Sequence, residues 1–222
     1  VAVMICVHNS VGSYPISLFG SDELKARVLP RMASGEIAAF CVSEAGAGSD
    51  AAAIATTAVR DGDDYVLDGS KMWVTNGSRA AFYVILARSP GTDGHDTIHA
   101  FLVERDAPGL SVAKKEDKMG LRCSDTCVID LDNVRVPVAN RLGEEGDGFR
   151  VAMKALDGGR IGIAFQALGI GRACLEESVK YAGQRAAFGK KLWNIASVRD
   201  KFADMAARLH SARLTALHAA WL

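Results

Sequence analysis

The sequence predicts an α+β protein in three successive parts: helices, a strand-rich middle forming an antiparallel sandwich or barrel, and a helical bundle. Three observations predict it. The apolar pattern changes from helical to strand-like period near residue 38 and back again near residue 143. The middle carries short β-rich runs with no helix-length pattern between them. The last part holds two long apolar stripes joined by a short link. These boundaries give parts 1–37, 38–142 and 143–222.

In the first part, "VAVMIC" is helical and "HNSVGSYPISLFG" reads as a turn-rich break. "SDELKARVLPRMASGE" then opens a helix with Ser21 as N-cap and acidic residues in its first turn, and Pro30 is expected to end or bend it. In the middle part, "DDYVLDGSKMWVTNG" reads as two strands around an Asp68-Gly69 hairpin turn. "AFYVILARS", "TIHAFLVER", "LSVAKKE" and "TCVIDLDNVRVP" supply further strands, separated by Gly, Pro and Asp. In the last part, Val151, Ala155, Ile161 and Leu168 mark one helical stripe. Val198, Phe202, Met205, Leu209 and Leu217 mark the second. The chain opens without Met and stops within a helical pattern, so it reads as an internal piece of a longer protein whose unfinished bundle leaves an apolar face exposed.

Bulk composition narrows the function. Of 222 residues 49% are hydrophobic, which excludes a disordered chain. Lys+Arg and Asp+Glu are both 26, so neither phosphate neutralisation nor a polybasic membrane anchor drives binding. No apolar run is expected to approach the ~20 residues of a membrane span, and no signal-peptide pattern is read at the start of the sequence. Cys6, Cys41, Cys123, Cys127 and Cys174 form no CxxC pair and read as reduced, small buried hydrophobes in a cytosol-like compartment. Cys123 and Cys127 would share a face on a strand, but nothing completes a zinc site. His8, His95, His99, His210 and His218 are scattered and make no metal motif.

Four stretches carry the chemistry. "CVSEAGAGSD" reads either as a polar turn or as a cradle in which Gly46 and Gly48 let an anion approach backbone N–H groups, with Ser43 and Ser49 as neutral donors. It is neither a Walker nor a Rossmann motif. Glu44 is its tempting base, and Asp50 reads as a cap. "MWVTNG" alternates so that Trp73 and Thr75 share a face; it is either a half-buried strand ending in a turn or an aromatic platform for a flat ring. "LDGGR" places two glycines in a helix, each costing about 1 kcal/mol relative to alanine, and by itself reads as close packing. "QRAAFGK" offers Arg185, a solvated charge or helix-end cap on its own.

Together and in this order, "CVSEAGAGSD", "WVTNG", "LDGGRIGIAFQALGIG" and "QRAAFGK" resemble the acyl-CoA dehydrogenase family over essentially the whole chain, with both ends of its fold incomplete. The resemblance implies FAD as cofactor. It assigns Phe40, Cys41, Val42, Ser43, Gly48 and Ser49 to the flavin and its pyrophosphate, Ser43 bonding the pyrimidine side. Trp73, Val74 and Thr75 match the strand packed on the flavin, with Thr75 bonding N5. Arg185 would reach the FAD pyrophosphate of a neighbouring subunit, a bidentate contact that lysine would not reproduce, with Phe188 beside it. That reach implies a homo-oligomer, a dimer of dimers in most relatives.

Ser49 matches a residue shared by FAD and the acyl-CoA, Asp157 a contact to the CoA adenine side, and Arg160 a nearby structural or CoA-contacting residue. Glu44 matches a structural residue, not the base. Some relatives carry their base where Gly159 stands here, so no catalytic residue is expected in this chain and the base is expected beyond Leu222. At Ala196 relatives usually carry a Gln that contacts FAD, so one polar contact is expected to be lost or supplied by water or another residue. The implied reaction is α,β-dehydrogenation of an acyl-CoA thioester: a carboxylate takes the α-proton while the β-hydrogen leaves as hydride. Electrons then pass to an electron-transferring flavoprotein, with Trp73 near the flavin edge.

"KKEDKMGLRCSDT" looks most like the short-chain members, with medium- and branched-chain members close behind. A cytoplasmic location follows, or the mitochondrial matrix in a eukaryote. Another flavoenzyme on the same fold, an acyl-CoA or nitroalkane oxidase, and a non-catalytic FAD-binding scaffold stand as alternatives.

Overall fold

The computed structural model describes residues 2–222. It divides into two compact units, one ending at Gly159 and the other spanning Arg160–Leu222.

The first unit opens with helix α1 (Ala2–Val7), a wider π-helical turn (His8–Ser13) and α2 (Tyr14–Phe19) in unbroken succession. The turn-rich break read from the sequence is therefore helical. Pro15 falls in the first turn of α2, where its missing N–H is no loss. Gly12 packs so tightly on the following strand that a Cβ there would sit 2.7 Å from Ala38 Cβ. Among the described residues, Ala2–Phe19 is the one helical run long and apolar enough to cross a membrane by length and composition, which corrects the expectation that no such run approaches that length.

Helix α3 (Asp22–Ala33) starts where expected, Leu24 N–H donating to Ser21 Oγ at 3.1 Å. It runs through Pro30 rather than ending there. One lost i→i−4 bond is outweighed by burial of Leu24, Val28 and Met32, each worth about 1.5–3 kcal/mol.

Seven strands then form one sheet: β1 (Ala38–Cys41), β2 (Thr57–Asp61), β3 (Asp64–Thr75), β4 (Phe82–Arg88), β5 (Ile98–Glu104), β6 (Leu110–Lys115) and β7 (Thr126–Pro137). Strands β2, β3, β7 and β6 pair antiparallel in that order, and β5 pairs antiparallel with β4. The sheet is mixed, because β1 pairs parallel with β4 and Thr57 of β2 meets Arg88 of β4 in the same sense. The hairpin turn falls between Asp61 and Asp64, not at Asp68-Gly69. Gly69 is instead a bulge inside β3, with φ +147°. A Cβ on it would lie 2.8 Å from Thr56 Cα, so the close approach requires glycine.

Strand β4 is buried on both faces, as its unbroken apolar run dictates. Tyr83 and Ile85 enter a core enclosed by the curled sheet with Cys41, Leu67, Val74, Phe101 and Ile129. Phe82, Val84 and Leu86 face a second core with Ile16, Leu24, Val28, Val151 and Ala152. Val151 and Ala152 lie in the first turns of helix α4 (Gly148–Gln184), where a Cβ at Gly159 would be 3.0 Å from Val11 Cγ1. The two glycines of "LDGGR" thus sit in continuous helix and serve close packing.

The second unit contains the rest of α4, a short hairpin of β8 (Ala186–Ala187) and β9 (Lys190–Lys191), and helix α5 (Ala196–Trp221). Leu168, Val198, Phe202 and Leu209 are half-buried between its helices, whereas Met205 and Leu217 are exposed. Phe165, Leu168, Leu175 and Leu209 line a groove of about 480 Å³ with Arg172, His210 and Arg213 at its rim.

Candidate functional site

The stretch "CVSEAGAGSD" leaves β1 and turns back on itself: Glu44 N–H donates to Ala47 O at 2.9 Å, and Ala47 N–H to Glu44 O at 3.2 Å. Ala45, Gly46, Gly48, Ser49 and Asp50 are exposed. Cβ atoms built on Gly46 and Gly48 would meet nothing within 4 Å, so no atom of the described residues accounts for glycine there. Asp50 precedes a 3₁₀ turn, but its side chain makes no capping bond, contrary to its reading as a cap.

Glu44 is a structural anchor. Its carboxylate accepts from Ala55 N–H (2.6 Å), Thr56 N–H (3.1 Å), Thr56 Oγ1 (2.6 Å) and Lys71 Nζ (2.6 Å). Burial opposes its ionisation, but the Lys71 ammonium and these donors outweigh that and hold the carboxyl below its ordinary range. A carboxylate so engaged is a poor proton acceptor near neutrality.

"MWVTNG" ends β3 directly beside this turn, with Met72 N–H donating to Ser43 O at 2.8 Å. A register shift between Lys71 and Val74 breaks strict alternation, so Trp73 and Thr75 do not share a face by simple strand period. Trp73 adopts φ +59° and is 59% exposed, Val74 is buried in the sheet core, and Thr75 is half-buried. The turn beyond is pinned from several sides. Asn76 Nδ2 donates to Ala38 O at 3.2 Å, Tyr83 Oη to Gly77 O at 2.7 Å, and Ser78 N–H to Asp125 Oδ2 at 2.7 Å.

Phe40 and Val42 are half-buried against the second core, and Cys41 lies in the first, so Cys41 and Val74 present only backbone to a ligand. Burial pushes the Cys41 thiol up to about 12. Among the described residues, the hydroxyls of Ser43, Ser49 and Thr75 make no hydrogen bond to the chain. Cys123 and Cys174 are exposed and Cys123 precedes β7, which corrects their reading as buried hydrophobes; Cys41 and Cys127 are buried.

Asp157 and Arg160 are both exposed on α4. In the second unit, Arg185 follows the end of α4 and its guanidinium meets no carboxylate among the described residues. Phe188 and Gly189 form the two-residue turn between β8 and β9, with φ +54° and +72°. Phe188 is 94% exposed at that tip. Ala196, the position where a Gln was expected from the resemblance, is exposed at the start of α5.

Residues 1–36, 39–134 and 146–222 match in turn the family profiles "Acyl-CoA dehydrogenase, N-terminal domain", "middle domain" and "C-terminal domain". The chain belongs to the acyl-CoA dehydrogenase family. It is 47% identical over 221 residues to an acyl-CoA dehydrogenase of Bacillus subtilis, covering 99% of this chain and 58% of that protein. It is 46% identical to the mitochondrial short-chain specific acyl-CoA dehydrogenase of Rattus norvegicus, covering 99% and 54%. A chain in a solved structure titled for the electron transferring flavoprotein of Acidaminococcus fermentans superimposes with TM-score 0.95 at 42% identity, covering 99% and 58%.

The chain therefore spans little more than half the length of these relatives. Members of the family use FAD. What the sequence reading missed in the site is Lys71 and Asp125. Lys71 was signalled only as a charge inside the run "YVLDGSKMWV", and Asp125 as an acid directly ahead of a strand.

Proposed function

We propose that the protein carrying this chain catalyses FAD-dependent α,β-dehydrogenation of a short-chain acyl-CoA and passes the electrons to an electron-transferring flavoprotein. One observation carries the reading. The Met72–Ser43 backbone bond brings the two distant motifs side by side, and next to that bond lie an exposed Trp73 and the unengaged hydroxyls of Ser43 and Thr75.

That surface suits a flat ring with polar edges. Trp73 offers an aromatic face, and Ser43 and Thr75 offer donors that the chain itself leaves unused. The exposed backbone around Gly46 and Gly48 has room for the cofactor's phosphates to approach closely. When bound, FAD supplies a two-electron acceptor for the hydrogen leaving the β-carbon. Thr75 would hold the ring at its hydride-accepting edge, and Ser43 at the pyrimidine side.

Ser49, Asp157 and Arg160 are proposed acyl-CoA contacts. Glu44 is not the base, because it is committed to Lys71 and the 55–56 backbone. Glycine at 159 cannot take a proton, so the proposal leaves that role to a carboxylate outside these 222 residues. The unengaged Arg185 beside the exposed Phe188 supports a reach across a subunit boundary to the FAD pyrophosphate, hence a homo-oligomer. The preference for a short acyl chain and a flavoprotein acceptor rests on the names of the relatives above.

The test is anaerobic spectroscopy of the full-length protein. It is expected to purify yellow and to bleach on addition of butyryl-CoA. Colourless protein, or a flavin that stays oxidised with every acyl-CoA tried, would overturn the proposal.

A further inference from the structure

Lys71 lies within β3 with its side chain fully buried, its ammonium 2.6 Å from Glu44 Oε1. That one carboxylate gathers three segments: the turn that contains it, residues 55–56 on the way into β2, and β3 itself. Lys71 Nζ also reaches Val42 O at 3.4 Å. The bulge at Gly69 makes room for Thr56 to join. The residues next to the pair, Ser43 and Met72, then meet through the 2.8 Å backbone bond on which the candidate platform depends.

Burying an ammonium and a carboxylate is costly, and well-packed apolar replacements of such pairs are often neutral or stabilising. Stability alone does not account for the pair. An apolar pair cannot supply direction. Slippage by one residue would turn Lys71 out of the sheet and leave the Glu44 carboxylate without its cation. Fixing register is the best-attested use of a buried polar group.

We propose that the Lys71–Glu44 pair is a positioning device that fixes the register of Ser43 against Met72, and through it the spacing between Ser43 and the Trp73–Thr75 strand end that grips the flavin. The last clause rests on the flavin reading; the register claim does not. Neither residue touches the reacting atoms.

The experiment uses the full-length protein carrying Glu44→Gln and Lys71→Met together, a neutral pair of similar shape that keeps an acceptor oxygen for Ala55 and Thr56. Hydrogen exchange at the Met72 amide is measured in flavin-free protein, and the FAD dissociation constant and visible spectrum in reconstituted protein. A wild-type-like melting temperature is expected. Met72 exchange should be at least about tenfold faster, and FAD binding at least about tenfold weaker with a blurred flavin band.

Wild-type values in either readout would overturn the proposal. So would a double variant that does not fold, because the pair would then hold the fold rather than the register. A wild-type protein that binds no FAD sinks the flavin reading alone, and Met72 exchange still decides the register.

Discussion

Trp73 holds a left-handed backbone conformation that a bulky residue seldom adopts, while most of its ring faces solvent. Such strain persists only where the surroundings over-determine it, and Lys71, Ser43 and the pinned Asn76 turn do so here. Lys71→Ala would leave Glu44 as a buried carboxylate without its cation. Urea unfolding should show a loss of about 3–5 kcal/mol, and a change below about 1 kcal/mol would contradict the pairing. Glu44 also sets a pH dependence. Its folded carboxyl lies below its ordinary 4.5, so the folded state binds fewer protons than the unfolded chain. Its stabilisation is full above that value and is lost as pH falls below it. In Glu44→Gln this acid-side slope should be shallower. At this scale the sequence identified the two motifs through residue type, and the family resemblance supplied their roles. Lys71 escaped because nothing local marks which face of a bulged strand a lysine will take.

Two histidines tie elements together. His8 Nδ1 accepts Ala38 N–H at 3.1 Å, linking the π-helical turn to β1. His99 Nδ1 accepts Gly146 N–H at 3.1 Å, so its Nε2 carries the proton and donates to Ser89 Oγ at 2.9 Å. Burial lowers both below the ordinary 6.5. The unfolded chain therefore takes up protons first, and this stability is intact above about pH 6.5 and lost as pH falls. Urea midpoints should drop between pH 7.5 and 5.5, and the drop should shrink in His99→Gln; an unchanged midpoint would contradict these bonds. Gly69→Ala should cost about 2 kcal/mol or more, since its Cβ would collide with Thr56 at a positive φ. Strands β4, β5 and β7 were legible because burial writes itself into apolar runs, and Ser21 because a cap is a local device. The Asp68-Gly69 turn, the break at residue 8 and an ending at Pro30, the alternative to a bend there, did not form for one reason. Each is a local preference overridden by packing: Thr56 against Gly69, Ala38 against Gly12, and the stripe of α3 against the sheet.

At the scale of the molecule, the helical unit after Gly159 has few buried side chains and exposes Ile163, Ile170, Tyr181, Met205, Leu217 and Trp221. Extended exposed apolar surface marks an interaction site or a ligand-binding groove. Phe188 at a left-handed turn tip adds a ring for which the described residues offer no packing. Arg185→Ala in the full-length protein should lower retained flavin by about tenfold in affinity while leaving the melting temperature of the flavin-free protein unchanged. Unchanged flavin content would contradict its assigned reach.

The proposed flavin seat is formed by Ser43, Trp73 and Thr75. It is tested most directly by titrating FAD into flavin-stripped full-length protein while following tryptophan fluorescence, in wild type and in Trp73→Phe. Strong quenching is expected in the wild type and loss of that quenched component in Trp73→Phe, with FAD still bound. Equal quenching in both proteins would place the flavin elsewhere and contradict it.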